Sequence, residues 1–263
     1  MNYLDEIIAY KRKEVEEAKS LRPVKLLDQS INFNRKTISL KNALLQKNAS
    51  GIIAEFKRKS PSKGIINSSA QVQQTTTGYI EAGASALSVL TDEKYFGGAT
   101  KDLIEARQVN TCPILRKDFT VDEYQIIEAK SIGADVILLI AAVLSKEEIK
   151  SLSAVAVSLG LEVLLEIHEA EELEKADVSQ HLIGINNRNL KTFEVNLQHS
   201  IALSAMLPKD VIHIAESGIS QPENIVLLKQ HGFTGFLIGE NFMKEAQPEI
   251  ACKKFIERLL VAG

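Results

Sequence analysis

An eightfold alternation of short apolar segments with longer amphipathic segments constrains the fold of this chain more than any other feature. From Gly51 onward, apolar runs such as 136–140 (VILLI) alternate with helical patterns such as 145–159 and 221–230. A nearly continuous apolar run is typical of a parallel strand that is covered on both faces. Strands that alternate with helices favour a parallel sheet, and eight consecutive units favour a closed barrel over an open sheet. The predicted fold is therefore an α/β protein built on a single (β/α)8 TIM barrel.

The predicted strands and an N-terminal segment divide the chain into two parts. Strands are expected at 52–57, 86–91, 113–118, 136–141, 162–167, 182–187, 211–216 and 235–239. Before them, an amphipathic pattern predicts one helix over 4–19, which ends before Pro23, and a second over 37–46. These segments contain too few apolar residues for a core of their own. We expect residues 1–48 to form a helical extension of a barrel over 49–263, which could cover the barrel mouth, pack on its flank or contact a partner chain.

Charge and composition exclude several classes of protein. The formal net charge of −3 gives no electrostatic reason to expect binding to nucleic acid or to a membrane surface. The longest apolar stretch, 136–144, is too short to span a bilayer, and the N-terminus lacks the pattern of a secretory signal. Cys112 and Cys252 lie far apart and indicate neither a disulfide framework nor a metal site. A cytoplasmic protein is expected, either a monomer or a weak oligomer.

Polar side chains gather where the predicted strands end. Chemistry in barrels of this kind lies at the C-terminal ends of the strands, and a charge without a partner is costly to bury there. Alternation places Glu55 and Lys57 on one face of the first strand, and Lys117 lies in phase with Leu115 on the third. Later strands end with Glu166, Asn186, Arg188 and Glu216. This convergence predicts an active site at one rim of the barrel.

A second group of residues predicts a phosphate site. Barrels often bind phosphate through the loops after strands seven and eight and the N-terminus of a short extra helix. Here those loops contain Ser217-Gly218 and Gly239-Glu240, and Ser60 in the first loop can add a hydroxyl group. Glycines allow backbone N–H groups to approach an anion closely. The predicted partner is therefore a phosphorylated small molecule.

Several motifs resemble those of the indole-3-glycerol-phosphate synthases. The most specific is IIAEFKRKSPSKG at 52–64. Others are PILRKDF at 113–119, GADVILLI at 133–140, LLEIH at 164–168, GINNRNL at 184–190 and AESGI at 215–219. The leading helix LDEIIAYK at 4–11 is also similar to that family, so the resemblance covers nearly the whole chain. The Glu-Ser-Gly and Ile-Gly motifs alone also occur in other phosphate-binding barrels.

The resemblance implies a lyase that acts in the biosynthesis of tryptophan, an aromatic amino acid. Its substrate would be 1-(2-carboxyphenylamino)-1-deoxyribulose 5-phosphate, which closes to an indole ring with loss of carbon dioxide and water. Lys117 matches the principal catalytic lysine and would act as the acid at the carbonyl oxygen. Glu166 would be the general base for loss of water. Lys57 would bind the substrate carboxylate or donate a proton to the leaving hydroxyl.

The resemblance also assigns supporting roles. Glu55 would orient both lysines, and Glu216 would contact a sugar hydroxyl or a lysine. The expected substrate-binding residues are Asn186, Arg188, Phe119, Leu138 and Ser217, of which Phe119 and Leu138 form an apolar wall. The expected phosphate-binding residues are Ser60, Gly218, Gly239 and the backbone of Glu240. No metal or organic cofactor is implied, and His168 is expected to point away from Glu166 in a structural role.

Three other functions compete with this interpretation. A phosphoribosylanthranilate isomerase would have a cysteine at the end of the first strand, where Lys57 stands. A tryptophan synthase α subunit pairs a glutamate of strand two with an aspartate of strand three, whereas strand two here ends Leu90-Thr91-Asp92. A non-catalytic phosphate-binding barrel would have no reason to bury two lysines and three glutamates, although fold alone does not decide function.

Overall fold

A closed barrel of eight parallel strands forms the centre of the molecule, in a computed structural model that describes residues 3–176, 182–188 and 194–262. The strands are β1 (Ile52–Phe56), β2 (Ala86–Leu90), β3 (Ile114–Lys117), β4 (Val136–Ile140), β5 (Glu162–Ile167), β6 (Leu182–Asn186), β7 (Ile212–Glu216) and β8 (Phe233–Ile238). Each strand pairs with the next, and β8 pairs with β1. The predicted (β/α)8 fold is confirmed, and each strand lies close to its predicted bounds. Asn189 and Leu190 of the 184–190 motif lie outside the described residues.

Helices precede the barrel and cover its outer face. The first three are α1 (Tyr3–Leu21), α2 (Val24–Leu27) and α3 (Leu40–Leu44). The others are α4 (Val72–Glu81), α5 (Thr100–Val109), α6 (Glu123–Ile132), α7 (Lys146–Ser158), α8 (Leu197–Ser204), α9 (Pro222–Gln230), α10 (Glu240–Met243) and α11 (Pro248–Ala262). Local signals explain their bounds: Ser145 and Glu148 form a capping box at the start of α7. None of the helices in the described ranges is long and apolar enough to cross a bilayer.

Two apolar cores stabilise the barrel, one between the strands and the outer helices and one inside the barrel. The inner core contains Ile53, Leu115 and Leu164 from the strands. Leu40 and Leu44 of α3 are buried in this same inner core. The third helix, α3, therefore closes the barrel at the N-terminal ends of its strands.

The N-terminal extension is also attached to the barrel by partly buried polar contacts. Glu162, at the start of β5, accepts hydrogen bonds from Ser39 Oγ (2.5 Å) and from the backbone N–H of Leu40 (2.7 Å). Asp135, just before β4, forms ion pairs with Arg35 (2.7 Å) and Arg107 (3.2 Å). These contacts fix the chain that leads into α3 against the lower end of the barrel.

The first helix lies at the opposite, C-terminal end of the barrel. Tyr3, Leu4 and Ile7 line the cavity at the mouth. Of the positions that the sequence left open, α1 borders the mouth and also packs on the flank, where Tyr124 of α6 contacts it, while α3 closes the N-terminal end of the barrel; contact with a partner chain stays a prediction. In addition, a short antiparallel hairpin (Lys59–Ser60 with Gly64–Ile65), which the sequence did not predict, follows β1 at the mouth.

Candidate active site

A cavity of about 290 Å³ opens at the C-terminal ends of the strands. It is lined by every residue that the sequence assigned to the site: Glu55, Lys57, Ser60, Lys117, Phe119, Leu138, Glu166, Asn186, Arg188, Glu216, Ser217, Gly218, Gly239 and Glu240. Four charged members, Glu55, Lys117, Glu166 and Glu216, come from the odd-numbered strands. The interior of a closed eight-stranded barrel is filled by layers of four side chains, and each layer comes from alternate strands. These four side chains follow that pattern.

Lys117 is the centre of the charged group. Its Nζ lies 2.7 Å from Glu166 Oε2 and 2.5 Å from Glu216 Oε2. Burial alone would lower the pKa of Lys117, but Glu166, Glu216 and Glu55 outweigh burial and raise it above the ordinary lysine value. The ammonium group therefore stays protonated, and two carboxylates hold it at the base of the cavity.

Glu166 is surrounded by Lys117, His168 and the amide of Asn186. Besides Lys117, its Oε1 accepts a hydrogen bond from Asn186 Nδ2 (3.2 Å). Burial would raise the pKa of Glu166, but Lys117 and His168 hold it well below the usual value. This side chain is therefore ionised and available as a base.

The expectation that His168 points away from Glu166 is wrong. His168 Nε2 lies 3.2 Å from Glu166 Oε1, and its Nδ1 lies 3.8 Å from Glu172 Oε2, both without hydrogen-bond geometry. Residues two apart along an extended chain point to the same side, which explains the contact. Burial would lower the pKa of His168, but the two carboxylates raise it to about 10.

Glu216 differs from Glu166 although both contact the same lysine. Burial raises the pKa of Glu216, Lys117 lowers it and the charge of Glu166 raises it again, with a net value of about 7. Its Oε1 is buried without a hydrogen-bond partner among the described residues. That oxygen lies directly over Gly184 of β6, where a side chain would overlap it. Near neutral pH, Glu216 can therefore hold or release a proton while Glu166 stays charged.

Lys57 forms a second, separate ion pair. Its Nζ lies 2.7 Å from Glu55 Oε1, and Ser88 Oγ donates to Glu55 Oε2 at 3.3 Å. A Cβ atom at Gly239 would lie 3.1 Å from both Cβ and Cδ of Glu55, so the absent side chain leaves room for this carboxylate. Glu55 was expected to orient both lysines. In the described structure its ion-pair contact is with Lys57, whereas Glu166 and Glu216 hold Lys117.

The loop after β7 has an unusual backbone. Ser217 (φ 67°) and Gly218 (φ 71°) are consecutive left-handed residues. For a non-glycine residue this conformation is strained, and such strain is found at functional sites. Asn187 Nδ2 donates hydrogen bonds to the carbonyl oxygens of Glu216 (2.9 Å) and Ser217 (2.7 Å), which stabilises the turn.

Arg188 links the loops on the side of the predicted phosphate site. Its guanidinium donates to Ser62 Oγ at 3.3 Å and to Glu240 Oε2 at 3.4 Å. The side chain of Glu240 is thus engaged with arginine, and Gly239 immediately precedes α10. Glycine backbone next to a helix start leaves N–H groups accessible to an anion.

An apolar wall borders the charged group. Phe119 and Leu138 line the cavity as predicted, and Phe96 joins them. The rings of Phe96 and Phe119 are 5.9 Å apart and tilted by 44°. The site thus combines three features: an apolar wall, a buried ammonium group between carboxylates, and a glycine-rich rim.

Comparison with known proteins decides the family. A family model for indole-3-glycerol phosphate synthase matches residues 4–255. This chain belongs to the indole-3-glycerol phosphate synthase family. An indole-3-glycerol phosphate synthase of Bacteroides thetaiotaomicron is 50% identical over 97% of this chain and 98% of its own length. One of Laribacter hongkongensis is 42% identical over 94% of this chain and 96% of its own length.

The resemblance seen in the sequence is therefore confirmed, and with it the enzyme class: this indole-3-glycerol phosphate synthase family member is a carboxy-lyase of tryptophan biosynthesis. Solved structures with lower similarity support the fold alone. A chain of the Pyrococcus furiosus tryptophan synthase complex matches 80% of this chain and 97% of itself, with a TM-score of 0.58 at 17% identity. A chain described as "Native KDPGal structure" matches 80% of this chain and 93% of itself, with a TM-score of 0.57 at 18% identity.

Sequence reasoning missed several residues of this synthase family site. Phe96 completes the aromatic wall, Gly184 leaves room for Glu216, and Asn187 supports the strained turn. Tyr3 and Ile7 of α1 also line the cavity. A signal existed for Gly184 and Asn187, since both lie in the GINNRNL motif. For the first helix, the sequence left the barrel mouth as one of three possible positions.

Proposed function

We propose that this family member converts 1-(2-carboxyphenylamino)-1-deoxyribulose 5-phosphate to indole-3-glycerol phosphate, carbon dioxide and water in the mouth cavity. One observation carries the proposal: Lys117 is a buried ammonium group held by two carboxylates next to an apolar wall. A ring closure of this kind needs a positive group at a carbonyl oxygen and a surface for an aromatic ring. The site supplies both within one cavity.

In the first step, the aryl carbon that carries the carboxylate attacks the C2 carbonyl carbon of the sugar. Lys117 binds the carbonyl oxygen and stabilises the negative charge that develops there. The pKa of Lys117 is raised, so a proton that it delivers is readily replaced from Glu216, whose pKa is about 7. Decarboxylation then returns the electron pair of the carbon–carboxylate bond to the ring.

In the second step, the C2 hydroxyl leaves as water and the indole double bond forms. Glu166 is the base that removes the proton from C1, because it stays ionised beside Lys117 and can accept that proton. Lys57 donates a proton to the leaving hydroxyl, or binds the substrate carboxylate before it leaves, and Glu55 orients it at 2.7 Å. General acid–base assistance of this type contributes about 10²–10⁴-fold to a rate.

The remaining predicted residues bind the substrate. Phe119 and Leu138 contact the aromatic ring, and Asn186 and Arg188 contact the carboxylate and the sugar hydroxyls. Ser217 forms hydrogen bonds with the sugar, and Glu216 contacts Lys117. The residues assigned to the phosphate are Ser60, Gly218, Gly239 and the backbone of Glu240. No metal or organic cofactor enters the proposed steps. We still predict a cytoplasmic location, a monomeric or weakly oligomeric state, and no nucleic-acid or membrane partner.

The test is to incubate the purified protein with the proposed substrate and to follow indole fluorescence, with and without EDTA. The chain contains no tryptophan, so its own background is low. Wild type should form the product, and Lys117→Ala should lose at least about 10²-fold in kcat. Lys101→Ala, which changes a mostly exposed surface lysine, is the matched control and should retain full activity. A wild-type protein that binds the compound without converting it would refute the proposed reaction.

A further inference from the structure

Lys11 lies in α1, yet its ammonium group is completely buried at the barrel mouth. Its Nζ forms ion pairs with Glu14 (2.7 Å), Asp92 (2.9 Å) and Asp118 (3.0 Å). The side chains of Lys11 and Asp92 are 0% exposed and that of Asp118 is 2% exposed. Burying charges costs several kcal/mol per ion unless they are paired closely. The burial of these three charged groups therefore indicates a role other than ordinary packing.

The two aspartates differ in how far they depend on Lys11. Asp118 also contacts Arg116 at 3.3 Å and accepts a hydrogen bond from Thr91 Oγ1 at 2.5 Å. For Asp92, Lys11 provides the one cationic contact within ion-pair distance among the described residues. Burial would lower the pKa of Lys11, but Asp118 and Asp92 outweigh burial and raise it, so the lysine stays charged.

Each aspartate also organises the turn that carries one ring of the aromatic wall. Asp92 Oδ1 accepts hydrogen bonds from the backbone N–H groups of Tyr95 (2.8 Å) and Phe96 (3.2 Å). Asp118 Oδ1 accepts one from the backbone N–H of Phe119 (2.8 Å). The Lys11 ammonium thus bridges two turns whose rings pack against each other at the edge of the cavity, with centroids 5.9 Å apart and a tilt of 44°.

We propose that Lys11 is a positioning residue that holds Phe96 and Phe119 against each other, and thereby fixes the apolar wall on which the aromatic ring of the ligand packs. It acts through Asp92 and Asp118 and does not contact the ligand itself. The same ion pairs fix the register of α1, which adds Tyr3, Leu4 and Ile7 to the cavity lining. The inference rests on the proposed function in one respect, namely that the ligand carries an aromatic ring.

The test compares two ligands that share a phosphate tail but differ in the ring. Dissociation constants for indole-3-glycerol phosphate and for glycerol 3-phosphate are measured by calorimetry on the full chain, well below the melting temperature of each variant. Lys11→Met keeps the length of the side chain and removes the charge. We expect it to weaken binding of indole-3-glycerol phosphate about tenfold or more and to leave glycerol 3-phosphate within about twofold.

Two further variants make the result specific. Asp92→Asn keeps an oxygen for the turn and removes the charge that faces Lys11, so it tests the same bridge if Lys11→Met fails to fold. Lys19→Met is the control, because Lys19 ties the same helix to Asp122 at 2.8 Å and does not line the cavity. It should leave both dissociation constants unchanged.

Three outcomes would overturn the inference. Equal binding of indole-3-glycerol phosphate by wild type and both bridge variants would show that the bridge does not position the wall. Equal weakening of both ligands would show general damage to the mouth. Failure of wild type to bind indole-3-glycerol phosphate would overturn the proposed function and this inference together, whereas the first two results leave the proposed function standing.

Discussion

Gly184 in β6 provides a sensitive test of the charged group at the barrel mouth. A Cβ atom built on Gly184 overlaps Glu216 Oε1, and it lies 3.2 Å from Glu216 Cδ and 3.3 Å from Leu164 Cδ1. The backbone of Gly184 is not left-handed, so alanine is tolerated there without backbone strain. The Gly184→Ala substitution therefore acts mainly by displacing the Glu216 carboxylate, since Leu164 limits movement of the methyl group in the other direction.

The size of the effect follows from the contact distances. Ordinary carbon–oxygen contacts require about 3.4 Å or more, so the carboxylate has to retreat by about 1 Å. Its Oε2 lies 2.5 Å from Lys117 Nζ, and a retreat of that size stretches the contact to the limit of a hydrogen bond. A displacement of about 1 Å in a catalytic site can cost about 10²-fold in rate, equivalent to about 2.7 kcal/mol.

The assay is steady-state formation of the indole product by fluorescence, together with thermal denaturation. Gly184→Ala should lower kcat about 10²-fold with a modest change in melting temperature. Gly78→Ala is a matched steric control, because a methyl group there lies 2.8 Å from Glu249 Cγ between two outer helices. That control should reduce stability and leave kcat unchanged. A Gly184→Ala enzyme with kcat within about twofold of wild type would refute the role given to the Lys117–Glu216 contact.

Three other predictions concern stability. The pKa of His168 is about 10 in the folded protein, against about 6.5 in the unfolded chain. The contribution of its charged form to the free energy of unfolding is therefore complete below about pH 6.5 and is lost as the pH rises through 10. The difference in unfolding free energy between wild type and His168→Gln, measured with urea, should therefore shrink by on the order of 3 kcal/mol over that range; a constant difference would contradict the assignment. Asp135→Ala leaves the buried Arg107 without its carboxylate and should cost about 3–5 kcal/mol in urea denaturation, whereas a cost below about 1 kcal/mol would contradict the ion-pair argument. Ser217→Gly relieves a left-handed residue and should raise the unfolding free energy by about 1 kcal/mol; if Ser217 binds the substrate, the same variant should raise KM.

The barrel was predictable because its strands are nearly continuous apolar runs. Val136 to Ile140 can only be accommodated where both faces are covered, and seven similar segments follow the same rhythm. β8 begins at Phe233, two residues before its predicted start, because its pairing with β7 shifts register between Phe233 and Gly235. A bulge of this kind depends on the neighbouring strand, so local sequence does not reveal it.

The charged residues of the site were predictable for a related reason. Glu55, Lys117 and Glu166 stand out because they interrupt apolar strands, and strand alternation places them inside the barrel. Lys11 was not predictable, because a lysine on a charged amphipathic helix has the pattern of a solvated residue. Its partners are 81 and 107 residues away in the chain, and only the closed barrel brings them to α1. Pairing over such distances leaves no trace in local periodicity.

The attachment of the extension to both ends of the barrel has a consequence for the order of folding. The segment before β1 is synthesised before the strands, yet Arg35 binds Asp135, Ser39 binds Glu162 and Leu44 packs 3.2 Å from where a side chain at Gly235 would begin. Asp135 is synthesised after three of the eight strands, Glu162 begins the fifth strand and Gly235 lies in the eighth. Contacts this distant in sequence form slowly, because the intervening chain must be closed first. The extension therefore remains undocked while the later strands are made. During that interval its apolar side chains, such as Ile7 of α1 and Leu40 and Leu44 of α3, are exposed to a chaperone or to another nascent chain.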